Sequence, residues 1–183
     1  MLGIFIIGGL VLFIGLIIFY YYNRFVTLTN RVENSLSQID VQLKRRADLI
    51  PNLVKSVKGF MKHETAAIRA VTEARKALVS AQGIEKKVQA NNQLESALKS
   101  IFAIAEGYPD LKANQNFLEL QRELTATEDK VAYSRQFYND SILTYNNLCK
   151  KVPGVIFARM FGRQKKDYLK ITEAERKKVD VEF

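Results

Sequence analysis

The feature that most constrains this chain is an uncharged run at its N-terminus, from Leu2 to Tyr22. The run contains 21 residues, and the first charged side chain after it is Arg24. Because an α-helix rises about 1.5 Å per residue, a helix of this length spans roughly 30 Å, the hydrocarbon thickness of a bilayer. The sequence therefore predicts a transmembrane anchor over residues 1–23, with the remaining residues working beside the membrane.

A cleaved signal peptide is the main alternative to this anchor, and a buried helix of a soluble fold is a second. A signal peptide carries a basic stretch, then about 7–15 apolar residues and a small-residue cleavage site. Here no Lys or Arg precedes the run, which ends in Tyr20, Tyr21 and Tyr22. Such tyrosines are typical of an interfacial aromatic belt. We favour the uncleaved anchor, with the three tyrosines and Arg24 as candidate lipid contacts.

Charge placement around the anchor predicts its orientation. Only the α-amino group precedes the anchor, whereas several cations follow it: Arg24, Arg31, Lys44, Arg45 and Arg46. The positive-inside rule then places the N-terminus outside and the soluble domain in the cytoplasm of a single-pass protein of the cell (inner) membrane. Cys149 is the only cysteine, so no intrachain disulfide can form, as expected in a reducing compartment.

Apolar residues recur every three or four positions after the anchor. The series is Leu28, Val32, Leu36, Ile39, Leu43, Ala47, Ile50, Val54, Val57 and Met61. This spacing predicts one helical face that stays in phase and continues through Ile68, Val71 and Leu78. We interpret Pro51, inside the run, as a kink or brief break, because the phase matches on both sides. The alternative is a sharp corner with Pro51 at the first position of a new helix.

Two further apolar faces follow, over residues 84–108 and 117–149. Turn-forming residues separate and end them: Gly83, which is suited to a left-handed helix cap, then Gly107, Pro109, Pro153 and Gly154. Long amphipathic helices joined by short turns are typical of antiparallel bundles. We predict an all-α fold in which the single N-terminal transmembrane helix continues into an elongated antiparallel bundle of long helices, of coiled-coil type, over residues 24–151.

The C-terminal tail, residues 152–183, combines apolar clusters with cations. Residues 155–158 and 160–161 are apolar, and basic residues interrupt or follow them. Such a segment fits the membrane interface, and it equally fits packing over the open end of the bundle, which we slightly favour. Residues 177–183 alternate polar and apolar side chains, which is compatible with a short extended piece. The candidate lipid contacts of the tail are Phe157, Arg159, Phe161, Arg163, Lys165 and Lys166.

The net charge of +9 comes from both ends of the soluble part. Residues 24–58 hold seven basic and three acidic side chains, residues 150–178 hold ten and three, and residues 59–149 balance. Cations near a cytoplasmic leaflet attract anionic headgroups, although a merely solvated basic surface is the alternative. No helix-turn-helix, zinc-finger or stacking-platform motif is present, so no nucleic-acid partner is expected. The lipid bilayer is the expected partner.

No residue pattern predicts catalysis. His63–Glu64 resembles the start of a zinc-protease motif, but Ala67 stands where the second histidine would be. A metal site needs several converging ligands, and neither His63 nor Cys149 has a companion of its own type. We expect a non-enzymatic protein with no catalytic, cofactor-binding or metal-binding residues, and no cofactor.

Charged residues on the first helix form a ridge. Asp40, Lys44 and Asp48 are spaced i, i+4 and i+8, which supports a helix by about 0.3 kcal/mol per pair. The third helix offers possible partners: Glu119, Arg122, Glu123, Glu128, Arg135 and Asn139. If the bundle buries any of these side chains, they must be paired, and they would fix helix register more than they add stability. A solvated charged stripe is the alternative.

The stretch IDVQLKRRADLIPNLV at residues 39–54 resembles the signature of the LemA family. The second half of the chain is similar to the same family in YPDLKAN at residues 108–114, in Tyr138–Asp140 and in Tyr145–Asn146. The resemblance implies a single-pass bacterial inner-membrane protein with an elongated antiparallel helical domain and no catalytic residues. It also makes a set of motif residues a candidate assembly or partner surface: Asp40, Gln42, Lys44, Arg45, Arg46, Asp48, Pro51 and Asn52.

These observations predict a membrane-anchored helical scaffold that self-associates as a homo-oligomer and organises membrane or membrane proteins. Gly8 and Gly15 lie one heptad apart, so they give the anchor a smooth strip for transmembrane packing. An adaptor or regulator of an integral membrane enzyme, such as a quality-control protease, is the alternative. A lipid-binding, membrane-shaping protein is a third.

Overall fold

The structure is a computed structural model that describes residues 1–61 and 63–169. Within these ranges the helices are α1 (Leu2–Lys58), α2 (Thr65–Ser80), α3 (Ile84–Ala105), α4 (Pro109–Lys112), α5 (Gln115–Lys150) and α6 (Gly154–Met160). The same ranges contain no strand, which confirms the all-α fold class. The extended piece expected at residues 177–183 lies outside the described residues.

Helix α1 carries the uncharged run and continues well beyond it. One segment of α1 is long and apolar enough to cross a membrane, and none of that segment is buried within the chain. Pro51 lies inside the helix, which continues to Lys58. The alternative of a sharp corner at Pro51 is therefore wrong.

The part of α1 that follows the uncharged run ends earlier than the apolar spacing predicted. The main chain turns after Lys58, where the amides of Phe60 and Met61 both donate to the Val57 carbonyl, at 3.0 and 2.8 Å. A new helix, α2, buries the positions expected on the continued face, Ile68, Val71 and Leu78, and Ala74 as well. Two antiparallel helices bury stripes of the same spacing as one long helix, so periodicity alone does not reveal the turn.

The chain forms two compact units. Unit 2 spans Leu36–Arg135, and unit 1 combines Met1–Ser35 with the chain from Gln136 onward. Unit 2 is a bundle of the C-terminal part of α1, α2, α3 and the N-terminal part of α5. Its interior is built from the apolar faces of these helices, including Ile39, Leu53, Leu94, Ile101 and Leu124. Burying a Leu or Ile side chain stabilises a fold by roughly 1.5–3 kcal/mol, so these faces supply most of its stability.

Unit 1 pairs the N-terminal part of α1 with the C-terminal part of α5 in antiparallel fashion. The rings of Phe25 and Tyr145 meet edge to face at 6.0 Å, and the Arg31 guanidinium lies 5.0 Å from the Phe137 ring. The core also contains Leu28, Val32, Ile142, Cys149 and Ala158.

The turn between α5 and α6 depends on Gly154. A Cβ at this position would lie only 2.3 Å from the Leu148 carbonyl oxygen, so a larger residue would displace the main chain. In unit 2, Gly83 has a φ of +82° and directly precedes α3. Both glycines lie at helix boundaries, as the sequence indicated.

Candidate functional site

The motif residue Arg46 lies inside unit 2. Its side chain is only 1% exposed, although it belongs to the set predicted to form a partner surface. Position 46 shares the buried face of α1 with Leu43 and Ile50, so helix geometry directs the guanidinium into the bundle. The prediction that Arg46 is exposed to a partner is therefore corrected, and Arg46 is an interior residue.

Side chains from two other helices bond the Arg46 guanidinium. Nη1 donates to Asn91 Oδ1 of α3 at 3.0 Å, and Nη2 donates to Glu128 Oε2 of α5 at 3.2 Å. One arginine thus joins three helices of unit 2. Because a buried charge that loses its partners is costly, this contact penalises any other helix register. Glu128 is one of the six possible partners that the sequence offered to the charged stretch of α1, and in the structure it bonds Arg46.

The pKa values of the groups around Arg46 reflect burial. Desolvation lowers the pKa of Arg46, while Glu128 and Glu95 act in the opposite direction. Desolvation and the nearby Glu95 carboxylate raise the pKa of Glu128, and Arg46 lowers it. Lys99 pairs with Glu95 along α3, and that contact raises the pKa of Lys99. The pKa shifts of Arg46 and Glu128 follow first from desolvation and that of Lys99 from its ion pair, which is a structural use of titratable groups.

Two ion pairs flank Arg46 on the surface of unit 2. Arg45 Nη2 lies 3.3 Å from Glu123 Oε2, and both side chains are about half exposed. Lys87 Nζ of α3 lies 2.9 Å from Asp40 Oδ2. Exposed pairs contribute about 0–1 kcal/mol, so they add little to the central contact. They do orient two more motif residues toward neighbouring helices.

Pro51 leaves one carbonyl of α1 without its helical donor, and a side chain from α2 replaces that donor. Proline has no N–H, so the carbonyl oxygen of Ala47, four residues earlier, loses its usual bond. Arg75 Nε donates to this oxygen at 2.8 Å. The proline of the motif therefore creates an acceptor through which α2 attaches to α1. Arg75 has no sequence signal of its own.

An open groove of about 590 Å³ lies between α1 and α5 within unit 2. Both stretches that resemble the family contribute to it. Its lining combines polar side chains with apolar ones, including Phe60 at the turn after α1. The lining residues are Leu49, Asn52, Lys55, Ser56, Phe60, Asn114, Asn116, Glu119, Leu120 and Glu123.

The exposed part of the motif is smaller than the predicted set. Lys44, Asp48, Pro51 and Asn52 are exposed, whereas Asp40 and Gln42 are partly buried. Asn52 alone among the predicted surface residues lines the groove. The assembly surface stays a prediction for these residues.

Aromatic residues connect α6 to the end of the uncharged run in unit 1. The Tyr21 ring stacks on Phe157 with centroids 4.4 Å apart, and Tyr22 meets Phe161 edge to face at 5.6 Å. Phe157 and Phe161 thus pack against α1, while Tyr20, Arg24, Arg159 and Lys165 are exposed. Helix α6 of the tail thus packs on α1 beside the predicted membrane segment, and packing of the tail over the open end of the bundle stays a prediction. Lipid contact by the predicted residues stays a prediction.

Two asparagines of α5 hold the segment after α6 in an extended conformation. Asn146 bonds both the N–H and the carbonyl of Lys166 at 2.9 Å, and Asn139 bonds those of Leu169 at 2.9 and 3.2 Å. Seven helical residues rise about 10 Å, the length of three extended residues, so the two spacings match. The repeated Tyr-Asn dipeptide, at 138–139 and 145–146, was the available signal for this clamp.

The anchor glycines lie on an open surface. Gly8 and Gly15 are exposed, and a Cβ at either position would meet no atom within 4 Å. Elsewhere, no group of three or more His, Cys, Asp or Glu side chains converges among the residues that the structure describes. Burial raises the pKa of the Cys149 thiol, which keeps it in its unreactive protonated form.

The fold and these contacts define a class of protein: a helical bundle, tied together by an interior arginine, that follows a membrane-length apolar helix. The chain belongs to the LemA family, whose family model matches residues 35–183. The chain is 27% identical over 142 residues to Protein LemA of Metamycoplasma hominis, covering 75% of this chain and 64% of that protein.

Two magnetosome proteins are similar to the chain. It is 26% identical over 173 residues to Magnetosome protein MamQ of Magnetospirillum gryphiswaldense. It is 25% identical over 173 residues to Magnetosome protein MamQ 2 of Paramagnetospirillum magneticum. Each alignment covers 80% of this chain and 64% of the relative. The chain therefore matches less than two thirds of the length of these curated relatives.

Proposed function

We propose that this protein is a membrane-tethered, non-enzymatic scaffold that self-associates and organises the membrane or its resident proteins. The observation that carries the proposal is the fully exposed apolar segment of α1, joined without a break to a helical bundle. A tether of this kind confines chains to two dimensions, so weak lateral contacts gain effective concentration. Several copies of the bundle surface are then available within one patch of membrane.

The strip through Gly8 and Gly15 is the proposed contact within the membrane. Seven residues correspond to almost two full helical turns, so both glycines lie on one side of α1. Small residues allow two helices to approach closely, which favours van der Waals packing where lipid offers no hydrophobic driving force. A side chain at either position would meet no other part of the described chain within 4 Å of its Cβ, so the strip is open to a neighbour.

The absence of a catalytic step is part of the proposal. The shifted pKa values of Arg46, Glu128 and Lys99 are accounted for by burial and ion pairing within unit 2. None of the three relatives named above carries the name of an enzyme.

We further propose that the N-terminus lies outside and that the chain after the apolar segment lies in the cytoplasm. Arg24 and Arg31 follow the apolar segment directly, and Lys150 and Lys151 lie at the end of α5 in the same unit. By the positive-inside rule this charge belongs to the cytoplasmic side. A membrane-impermeant maleimide tests the orientation with a Cys149→Ser, His63→Cys chain, because His63 is exposed. Labelling only after cell lysis supports the proposal, and labelling of intact cells contradicts it.

The adaptor function is the second candidate, and the groove between α1 and α5 favours it. Its walls carry one cation, Lys55, together with carboxylates, amides and one exposed ring, which suit an irregular polypeptide segment of a membrane enzyme. An adaptor predicts a one-to-one complex and a monomeric free protein. A scaffold predicts several copies without any partner.

Counting copies in single lipid vesicles by stepwise photobleaching tests the scaffold. We expect several bleaching steps for the full chain and mostly single steps for Gly8→Leu, Gly15→Leu. The matched control, Gly3→Leu, Gly9→Leu, changes two exposed glycines that lie off the strip and should keep the wild-type count. Single steps for the unaltered chain at high density would overturn self-association. An equal fall in the number of bleaching steps in both double variants would show that the strip is not the contact.

A further inference from the structure

Helix α6 has one face inside unit 1 and another face without a partner. Phe157, Ala158 and Phe161 pack against the core of unit 1. Ile156 and Met160, one turn apart, are 59% and 54% exposed, and Val152 just before the helix is 80% exposed. Sequence reasoning selected the two phenylalanines as lipid contacts, but the outward apolar side chains are these three.

The contacts of α6 fix its level relative to the apolar segment of α1. Phe157 stacks on Tyr21, and Phe161 lies beside Tyr22 and Phe25. These residues of α1 mark the end of the uncharged run. The outward face of α6 therefore lies at the level where a spanning α1 would leave the hydrocarbon, which is the zone that interfacial helices occupy.

The chain around α6 is strongly cationic. Between residues 150 and 169 the single acidic residue is Asp167, and the cations are Lys150, Lys151, Arg159, Arg163, Lys165 and Lys166. None of these six forms an ion pair with a described carboxylate. Asn146 holds the main chain of Lys166, so this part of the cationic segment is fixed in place beside α5.

We infer that α6 and the segment after it form an interfacial foot that binds anionic phospholipids. Val152, Ile156 and Met160 insert among the lipids, and the surrounding cations bind the phosphate-bearing headgroups. Apolar insertion and headgroup attraction strengthen each other at this depth. A second copy of the chain is a poorer occupant, because the same face would bring two cationic surfaces together. The inference rests on α1 spanning the membrane, but not on the number of copies.

A single tryptophan tests the apolar contact, because the chain contains no tryptophan. The full chain carrying Ile156→Trp is reconstituted into phosphatidylcholine vesicles with and without phosphatidylglycerol. Brominated acyl chains should quench this fluorophore, more strongly with phosphatidylglycerol present, and aqueous iodide should not. The control, Tyr133→Trp, places the ring at an exposed site of unit 2, where iodide and not bromine should quench.

Two results would overturn the lipid contact. One is an Ile156→Trp signal that iodide quenches as strongly as the Tyr133→Trp signal. The other is a signal shielded from both quenchers only at high protein density, which would identify a second copy as the occupant.

Charge variants test the headgroup contact. The exposed cations Lys151, Arg159 and Lys165 are changed to Gln in the full chain, and the control changes Arg69, Lys76 and Lys86, which are exposed in unit 2. Phosphatidylglycerol retained by the detergent-purified protein, relative to phosphatidylcholine, should fall by about tenfold or more in the first variant only. Equal retention in the two variants would contradict the inference. Copy number is counted separately, so failure of the foot and failure of the scaffold are distinguishable.

Discussion

The two compact units are stabilised by different kinds of interior. Unit 2 buries the charged side chain of Arg46, which reaches an amide on α3 and a carboxylate on α5. Unit 1 buries aromatic rings and a protonated thiol, and its polar contacts are the amide clamps of Asn139 and Asn146. An ion pair joins helices to each other, whereas an amide clamp joins a helix to an extended chain.

The two interiors therefore have different roles. The buried charge of unit 2 fixes the register of its helices, and the amide clamps of unit 1 attach an extended segment to a helix. In unit 2 several amphipathic helices of similar spacing can slide, and the buried charge of Arg46 penalises registers that separate it from its partners. In unit 1 the problem is to hold a short cationic tail beside a helix without burying its charges. Hydrogen bonds from two asparagine side chains to the main chain of the tail hold it in place, and they leave most of the tail's lysine side chains in solvent.

Removing the interior charge should give the largest effect. We expect Arg46→Ala to lower the free energy of unfolding by about 3–5 kcal/mol, because it leaves a cavity and deprives Asn91 and Glu128 of their partner. Urea unfolding of the full chain in detergent, followed by helical circular dichroism, measures this. Arg45→Ala breaks the exposed neighbouring pair and should cost less than about 1 kcal/mol. Equal losses of unfolding free energy in the two variants would contradict the central structural role of Arg46.

Removing one clamp should act on unit 1 alone. Asn146→Ala deletes two hydrogen bonds to Lys166, each worth about 1 kcal/mol. Hydrogen exchange of the amides at 164–169 should therefore accelerate by about tenfold or more, while α2 and α3 keep their protection. Asn147→Ala is the matched control, because no hydrogen bond involves its side chain among the described residues. Unchanged exchange in the Asn146 variant would show that the clamp does not hold the segment.

The link between Arg75 and the motif proline predicts a smaller, conditional effect. Arg75→Ala should cost about 1 kcal/mol because the Ala47 carbonyl loses its only replacement donor. With Pro51→Ala in the same chain, the residue at position 51 again supplies a helical N–H, so Arg75→Ala should cost much less. A double-mutant cycle of unfolding free energies measures this coupling. Purely additive losses would contradict the compensation.

The smallest effect concerns pH. The pKa of Glu128 is raised in the folded protein above its ordinary value of 4.5. The stability that follows from this shift is present below pH 4.5 and is lost as the pH rises through the folded pKa. Because the Glu128 side chain is 39% exposed, screening should keep this loss below about 1 kcal/mol. The melting temperature of the Glu128→Gln chain should depend less on pH between pH 4 and 7 than that of the wild type. Identical pH dependence in the two chains would show that Glu128 does not cause the loss of stability.

Part of this architecture was readable from the sequence for physical reasons. The uncharged run and the apolar spacing depend only on local residue order, so they predicted α1, α3 and α5 and the all-α class. The turn at Gly59 was not predicted, because a hairpin preserves the spacing of a straight helix. Pairing by Glu128 was anticipated, since buried charges require partners.

Contacts that depend on three-dimensional placement were not readable. Asn91 and Arg75 carry no local signal, and they matter only because the bundle places them opposite Arg46 and Ala47. That Phe157 points inward and Ile156 points outward likewise depends on which face of α6 meets α1. Seven residues hold too few apolar positions to define a face without the neighbouring helix.

The most direct test of the scaffold is the mass of the wild-type chain extracted with its surrounding lipids into polymer-bounded native discs, at its natural abundance. The account predicts particles that contain several copies of this chain without a stoichiometric second protein. Particles that contain one copy, whether alone or bound one-to-one to another membrane protein, would contradict it.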